Sequence, residues 1–282
     1  MPLITLDLRK TMEQNAADCF ERAKKAKKKL LKVREIIART EQQIAAEQSR
    51  ITTADATAQA KSDAAAKQVK RKFQWYEKFR WFFSSEGFLV IGGRDATSNE
   101  VIIKKHTESD DLVFHTDMAG SPFFVVKASS QPGKKIGQPT LQETANATCS
   151  FSRAWKNGMV TTRTFWVNPE QVSKQANPGE FMGKGAFMIR GKTNYLPAQM
   201  DLAVGTTADG AIVCAPSAAV SLQCKLTIPI LQGNQKTSEV AKKLKKFLHA
   251  DDLDAVLRAL PAGGIKIDPK IEKELSAMGK HG

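Results

Sequence analysis

FLVIGGRDATSNEVIIKKHTESDDLVFHTDMAGSPFFVVK, residues 88–127, decides the fold. Short apolar runs at Phe88–Ile91, Val101–Ile103, Leu112–Phe114 and Phe123–Val126 alternate with glycine, aspartate, serine and proline, the pattern of strands joined by short loops. Four such runs predict a sheet. Downstream, Leu141 to about Lys156 reads as a helix opened by Thr140, with Glu143 three residues on as a capping box. Strands are expected again at Thr164–Val167 and Phe187–Ile189, and more weakly near Ala203–Val204, Ile212–Val213 and Leu226–Ile228. From Ser238 to about Ala259 the chain reads as one more helix, with Val240, Leu244, Phe247 and Leu248 as its apolar stripe. Strands surrounding a helix predict an α+β fold, a compact mixed β-sheet domain with packed helices.

Upstream, no proline or glycine interrupts residues 8–80, where alanine and lysine dominate. A heptad register places Ala16, Ala23, Leu30, Ile37, Ile44, Ile51 and Ala58 at one seam position, and Cys19, Ala26, Val33, Thr40 and Ala54 at the other. The types at Thr52-Thr53-Ala54-Asp55 suit a helix end and a new helix start, so an antiparallel helical hairpin is the expected form of this coiled-coil arm. The division expected is an arm at 1–80, a domain at 81–235 and a C-terminal helical segment at 236–282.

The formal net charge is +14. Residues 1–80 carry 19 basic and 10 acidic side chains, hence +9, leaving +5 for the other 202 residues. Such an excess selects a polyanion, and nucleic acid is the commonest, because each neutralised phosphate releases condensed counterions. No apolar run approaches a membrane span, and the Met-Pro-Leu start lacks a secretory signal, so the expected location is the cytoplasm with no membrane partner. Cys19, Cys149, Cys214 and Cys224 form no CxxC pair and read as reduced thiols; neither a metal nor a cofactor is expected. A GxxxxGK[ST] phosphate loop is missing, so nucleotide hydrolysis has no support.

The densest polar group is Asp110–Asp117. On a strand, Asp111, Val113, His115 and Asp117 share one face, and a carboxylate, imidazole and carboxylate in line are capable of acid–base chemistry or cation binding. The alternative is a half-buried His115 bonded to a neighbour, and with no convergent partners in the sequence a structural or RNA-positioning role fits better. Gly92-Gly93-Arg94-Asp95 reads as a tight turn leaving Arg94 exposed. Lys104, Lys105, Lys127, Lys134 and Lys135 bracket the strands and could track a phosphate backbone. Aromatic density peaks at Phe73, Trp75, Tyr76, Phe79, Trp81, Phe82 and Phe83, interleaved with Arg71, Lys72, Lys78 and Arg80. Trp81, Phe82 and Phe83 are expected in the core, whereas Trp75 and Tyr76 suit core packing and base stacking equally.

WYEKFRWFFSSEGFLVIGGRDATSNEVIIKK at 75–105, DDLVFHTDMAGSPFFVVK at 110–127, SFSRAWKNG at 150–158 and WVNPEQVSKQANPGEFMGKGAFMIRGKTNY at 166–195 together resemble the NFACT family's RNA-binding domain, in wording closest to archaeal RqcH-type and nuclear export mediator factor relatives. Residues 6–30 resemble that family's coiled-coil region and 260–267 its C-terminal segment. The resemblance implies a ribosome quality-control factor that binds large-subunit ribosomal RNA or tRNA on stalled ribosomes. Carried onto this sequence, it offers Arg94, Asp95, Asn99, Lys104, Lys105, Asp111, His115 and Asp117 as the functional surface. Arg80, Lys127, Arg153, Lys156, Lys184, Arg190 and Lys192 support them. The family's N-terminal NFACT and helix-hairpin-helix regions find no match in this sequence, which makes a separate N-terminal half acting in trans a further expected partner. The competing expectations are an RNA-modifying enzyme built on Asp111, His115 and Asp117, and a coiled-coil scaffold.

Overall fold

The computed structural model describes residues 6–7, 9–65, 71, 73–175 and 182–278, the side chains of 45–65 and 275–278 excepted. It divides into two compact units, Met1–Lys70 and Arg71–Gly282.

The first unit is built on one helix, α1 (Met12–Ala65). Its start is tied down by Asn15, whose amide donates to the carbonyls of Asp7, Lys10 and Thr11 while its Oδ1 accepts from the Asp7 N–H at 2.9 Å. Thr11 and Gln14 exchange side-chain-to-backbone bonds at 3.0 and 3.3 Å, a reciprocal cap. The backbone stays helical through Thr52–Asp55, so the antiparallel hairpin expected there is not formed within Met12–Ala65. Threonine and aspartate lower helix propensity by only tenths of a kcal/mol, roughly, and this stretch has no glycine or proline to add a larger cost. The seam residues Leu30, Val33, Ile37 and Ile44 are 45–52 % exposed.

In the second unit, β1 (Arg80–Phe83) and β2 (Leu89–Gly92) form a hairpin, and α2 (Ala96–Lys105) follows. β3 (Leu112–Thr116) and β4 (Phe124–Lys127) come next, then α3 (Gln138–Ser150), α4 (Arg153–Lys156) and β5 (Thr164–Val167). A short hairpin of β6 (Val172–Ser173) and β7 (Met188–Ile189) leads to β8 (Asn194–Leu196). The main sheet is antiparallel throughout, in the order β1-β2-β4-β3-β5-β8. A second antiparallel sheet comprises β9 (Leu202–Thr207), β10 (Ile212–Ala215), β11 (Cys224–Gln235) and β12 (Ile265–Ile267), in the order β10-β9-β11-β12. The helices α5 (Ser217–Gln223), α6 (Thr237–Phe247), α7 (Leu253–Ala259) and α8 (Pro269–Met278) complete the unit. The α+β class is as expected.

Period-two alternation makes the second sheet a partition between two cores. Ala203, Val213 and Ala215 join β1–β5 and α3 in one core, while their neighbours Leu202, Val204 and Cys214 lie beside Ile228, Ile230 and Ile265 on the other face, in the core with Val240, Leu244 and Val256. Trp81 and Phe82 are buried and Phe83 packs against the first core, as expected.

Four local expectations change. The helix expected from Leu141 to about Lys156 is two, α3 ending at Ser150 and α4 starting at Arg153, where Ser152 caps it by accepting the Ala154 N–H. Val101–Ile103 lies in α2 and not in a strand, because Asp95 accepts the Ser98 N–H at 2.7 Å and starts a helix that turns Asn99 and Ile102 inward. Thr140 sits inside α3; the helix starts at Gly137, and Glu86 from the β1–β2 loop accepts the Thr140 N–H at 3.1 Å and its hydroxyl at 2.6 Å. The stretch 238–259 is two helices, broken where His249 takes a left-handed φ of 49° and Asp252 caps α7 by accepting from Asp254 and Ala255.

Candidate nucleic-acid interface

The fifteen expected site residues separate by environment. Five have work inside the fold. Arg80, on β1, donates to the carbonyls of Ala259 and Leu260 at 3.0 and 3.2 Å and lies 4.1 Å from the centre of the Phe151 ring. Burial pushes its pKa down to about 10. Arg94 is half-buried rather than exposed: it donates to the Phe79 carbonyl at 2.7 Å and to that of Glu77 at 3.3 Å, and burial lowers its pKa. Its Nε is buried without a partner among the described residues.

Asp111 and Lys127 are a buried pair, 2.5 Å apart, with Lys127 also donating to the His106 carbonyl and Asp111 accepting from the backbone of Glu108 and Ala128. Asn99 is buried and accepts the Phe123 N–H at 3.1 Å. It also explains the two glycines, which are not at positive φ: the Phe124 ring fills the space of a Cβ on Gly92, and the Asn99 amide that of one on Gly93.

His115 donates from Nε2 to the Ser121 carbonyl at 3.2 Å and packs its ring 4.2 Å from Phe123 and 6.1 Å from Phe165. Burial lowers its pKa, opposed by hydrogen bonds to the Thr116 and Ser121 backbone and by the Asp117 charge. Asp117 is exposed, accepting the Tyr195 hydroxyl at 3.0 Å and facing Arg163 at 3.4 Å. The face expected to unite Asp111, His115 and Asp117 therefore does not converge: Asp111 is bonded at the start of β3, and the other two lie at its end.

The remaining cations are on the surface. Lys104 pairs with Glu100 at 2.6 Å on α2, and Lys105 stands beside it, exposed. Gly185 donates to the same Glu100, which draws the Lys184 loop onto α2, close enough for Lys184 to help hold Asp95 in its charged form. The hydrogen bonds of Asp95 to the Ser98 and Thr97 backbone act in the same direction. Arg190 and Lys192 are exposed, and both carbonyls accept from the Gln171 amide, at 2.8 and 2.9 Å. Arg153 and Lys156 are exposed on α4, with the Arg153 guanidinium laid against Gly120.

Sequence reasoning did not name Lys174, 3.8 Å from Glu100, or Arg163, whose guanidinium lies 4.4 Å from the Tyr195 ring centre. It also left out His106, against which Trp75 stacks with centroids 4.7 Å apart. The signal available was the aromatic and cationic density around 73–83; nothing in the order of residues tied His106 to it. Among the described residues no cluster of three potential ligands could hold a metal, and no helix is long and apolar enough to cross a membrane.

Comparison with known proteins identifies the domain. Residues 78–191 match the family model described as NFACT protein RNA binding domain. The archaeal Rqc2 homolog aRqcH of Methanocaldococcus jannaschii is 40% identical over 210 residues, covering 72% of this chain and 31% of that protein. Human ribosome quality control complex subunit NEMF is 44% identical over 130 residues, covering 46% and 12%. The Saccharomyces cerevisiae ribosome quality control complex subunit 2 is 26% identical over 206 residues, covering 72% and 19%. The chain thus spans a third or less of the length of these relatives. Among solved structures, the C-terminal part of the fibronectin/fibrinogen-binding protein from Streptococcus suis aligns over 48% of this chain and 49% of that one, at 17% identity and a TM-score of 0.36, too loose a likeness to argue from. Residues 78–191 are an NFACT RNA-binding domain, and the chain is homologous to a portion of the aRqcH, NEMF and Rqc2 proteins.

Proposed function

We propose that this protein is a noncatalytic RNA-binding factor of ribosome quality control, acting in the cytoplasm and gripping large-subunit ribosomal RNA or tRNA on stalled ribosomes. The observation that carries the reading is the NFACT RNA-binding match over 78–191, within which Lys104, Lys105, Lys184 and Arg190 are exposed, with exposed Lys192 directly after it. Exposed lysine and arginine contact phosphate oxygens without reading sequence, which suits a partner recognised by shape. The large ribosomal subunit and a separate N-terminal NFACT half are the partners this reading implies. Binding is favoured over RNA modification because Asp111 is already paired with Lys127, and His115 is packed between Phe123 and Phe165. The experiment is cosedimentation with purified large subunits and filter binding to tRNA at low salt. Retention that falls steeply with salt is the expected result; no retention at low salt would sink the reading.

One observation favours an additional role for the arm. Leu30, Val33, Ile37 and Ile44 form an exposed apolar seam, which supports helix-to-helix pairing with a partner. Light scattering checks it: a monomer at all concentrations, alone and with candidate partners, would count against pairing.

A further inference from the structure

Trp75 is held in a way that core packing does not require. Its indole is 45 % exposed, yet one face is fixed against the His106 imidazole with centroids 4.7 Å apart and planes within 16°. Tyr76 meets it edge-on at 5.8 Å. The ring stands as a ridge between two recesses, one of about 510 Å³ shared with Phe73, Trp81 and Arg94, the other of about 260 Å³ shared with Lys105 and His106. Phe73, two residues earlier, is 73 % exposed under the Arg71 guanidinium at 5.0 Å.

The charge around the ring is positive. Lys78 and Lys105 are exposed on either side, and burial together with these lysines and Lys127 lowers the pKa of His106, which leaves a neutral imidazole as the backing. Of the acids nearest the ring, Glu77 is engaged by Arg71 and Glu108 by Lys127, while Asp251 and Asp252 stand across the larger recess, Asp252 3.5 Å from Arg258. An open aromatic face, stiffened from behind and flanked by unneutralised lysines, suits a flat ring attached to a phosphate. An unpaired ring suits it best, because inside a duplex both faces of each base are covered by its neighbours. Trp75 also lies before the matched 78–191, so the family model assigns it nothing.

We propose that Trp75, backed by His106 and flanked by Lys78 and Lys105, is a stacking platform for an unpaired base of single-stranded RNA. The inference rests on the RNA-binding reading above and gives it a specific contact. Phe73 is placed to receive the adjoining base.

The test uses the full chain and two labelled probes, a short mixed-sequence single-stranded RNA and the duplex of the same sequence, followed by fluorescence anisotropy across a salt series. Trp75→Ala should weaken single-strand binding by roughly five- to 150-fold, leave duplex binding unchanged, and leave the slope of log affinity against log salt unchanged, since stacking moves no counterions. Trp75→Phe should restore single-strand affinity to within a few-fold, and Lys105→Gln should lower the salt slope. Thermal unfolding followed by circular dichroism shows that each variant folds. Equal single-strand affinity for wild type and Trp75→Ala would overturn the platform while leaving RNA binding intact, as would equal losses on both probes. A wild-type chain that binds neither probe at low salt would overturn the RNA-binding reading and the platform with it.

Discussion

Arg80 carries its charge into the interior, where two backbone carbonyls and the Phe151 ring hold it. Removing the guanidinium strands both carbonyls, so Arg80→Ala should cost about 2–3 kcal/mol in urea unfolding and leave the RNA affinity of the folded fraction unchanged. Asp111→Ala should cost roughly 3–5 kcal/mol, because it leaves the Lys127 ammonium buried against weaker partners. The histidines set a pH window. In the folded chain both His106 and His115 titrate below their ordinary 6.5, so the unfolded chain binds more protons as pH falls through that value. Unfolding free energy should therefore decline from pH 7.5 to pH 5.5, and His115→Phe should flatten the decline. A pH-independent wild type over that range would contradict the lowered titration of both rings.

At the scale of elements, α2 decides how the loop after β2 is used. Asp95→Ala removes its N-cap and should cost about 1 kcal/mol in chemical denaturation. Gly93→Ala should cost more than Asp95→Ala, because its methyl would need the place of the Asn99 amide that holds Phe123. Here the limits of reading residues in order are visible. Strands at 88–91, 112–114 and 123–126 were legible because their apolar runs are bounded by turn residues and buried on both sides. Val101–Ile103 misled, since three β-branched residues look like a strand until the aspartate cap six residues earlier is weighed against them. The candidate cations suffered in the same way: composition cannot say whether Arg94 or Lys127 meets a carbonyl, a carboxylate or water. The Trp75–His106 stack was out of reach because its partners are thirty-one positions apart and joined only by tertiary packing.

For the molecule as a whole, the net charge of +14 governs how binding responds to ions. The arm concentrates exposed lysines at Lys24, Lys25, Lys27, Lys28 and Lys29. Replacing these five by glutamine should lower the salt slope of binding to large subunits by about one or more, since every phosphate that is no longer neutralised takes about 0.7–0.9 from the slope. An unchanged slope would place the arm off the RNA. The bonds of Arg80 to Ala259 and Leu260 have a consequence in time. Residues near the start of the second unit wait for carbonyls 179 and 180 positions later, and β11 for the edge strand at Ile265–Ile267. At a synthesis rate of about 5–20 residues per second, that is roughly 9–36 s during which Arg80 lacks its acceptors and the second core, that of Val240, Leu244, Val256 and Ile265, stays open. A factor proposed to tend stalled ribosomes would itself carry an unfinished second core on its ribosome until Ile265–Ile267 has emerged.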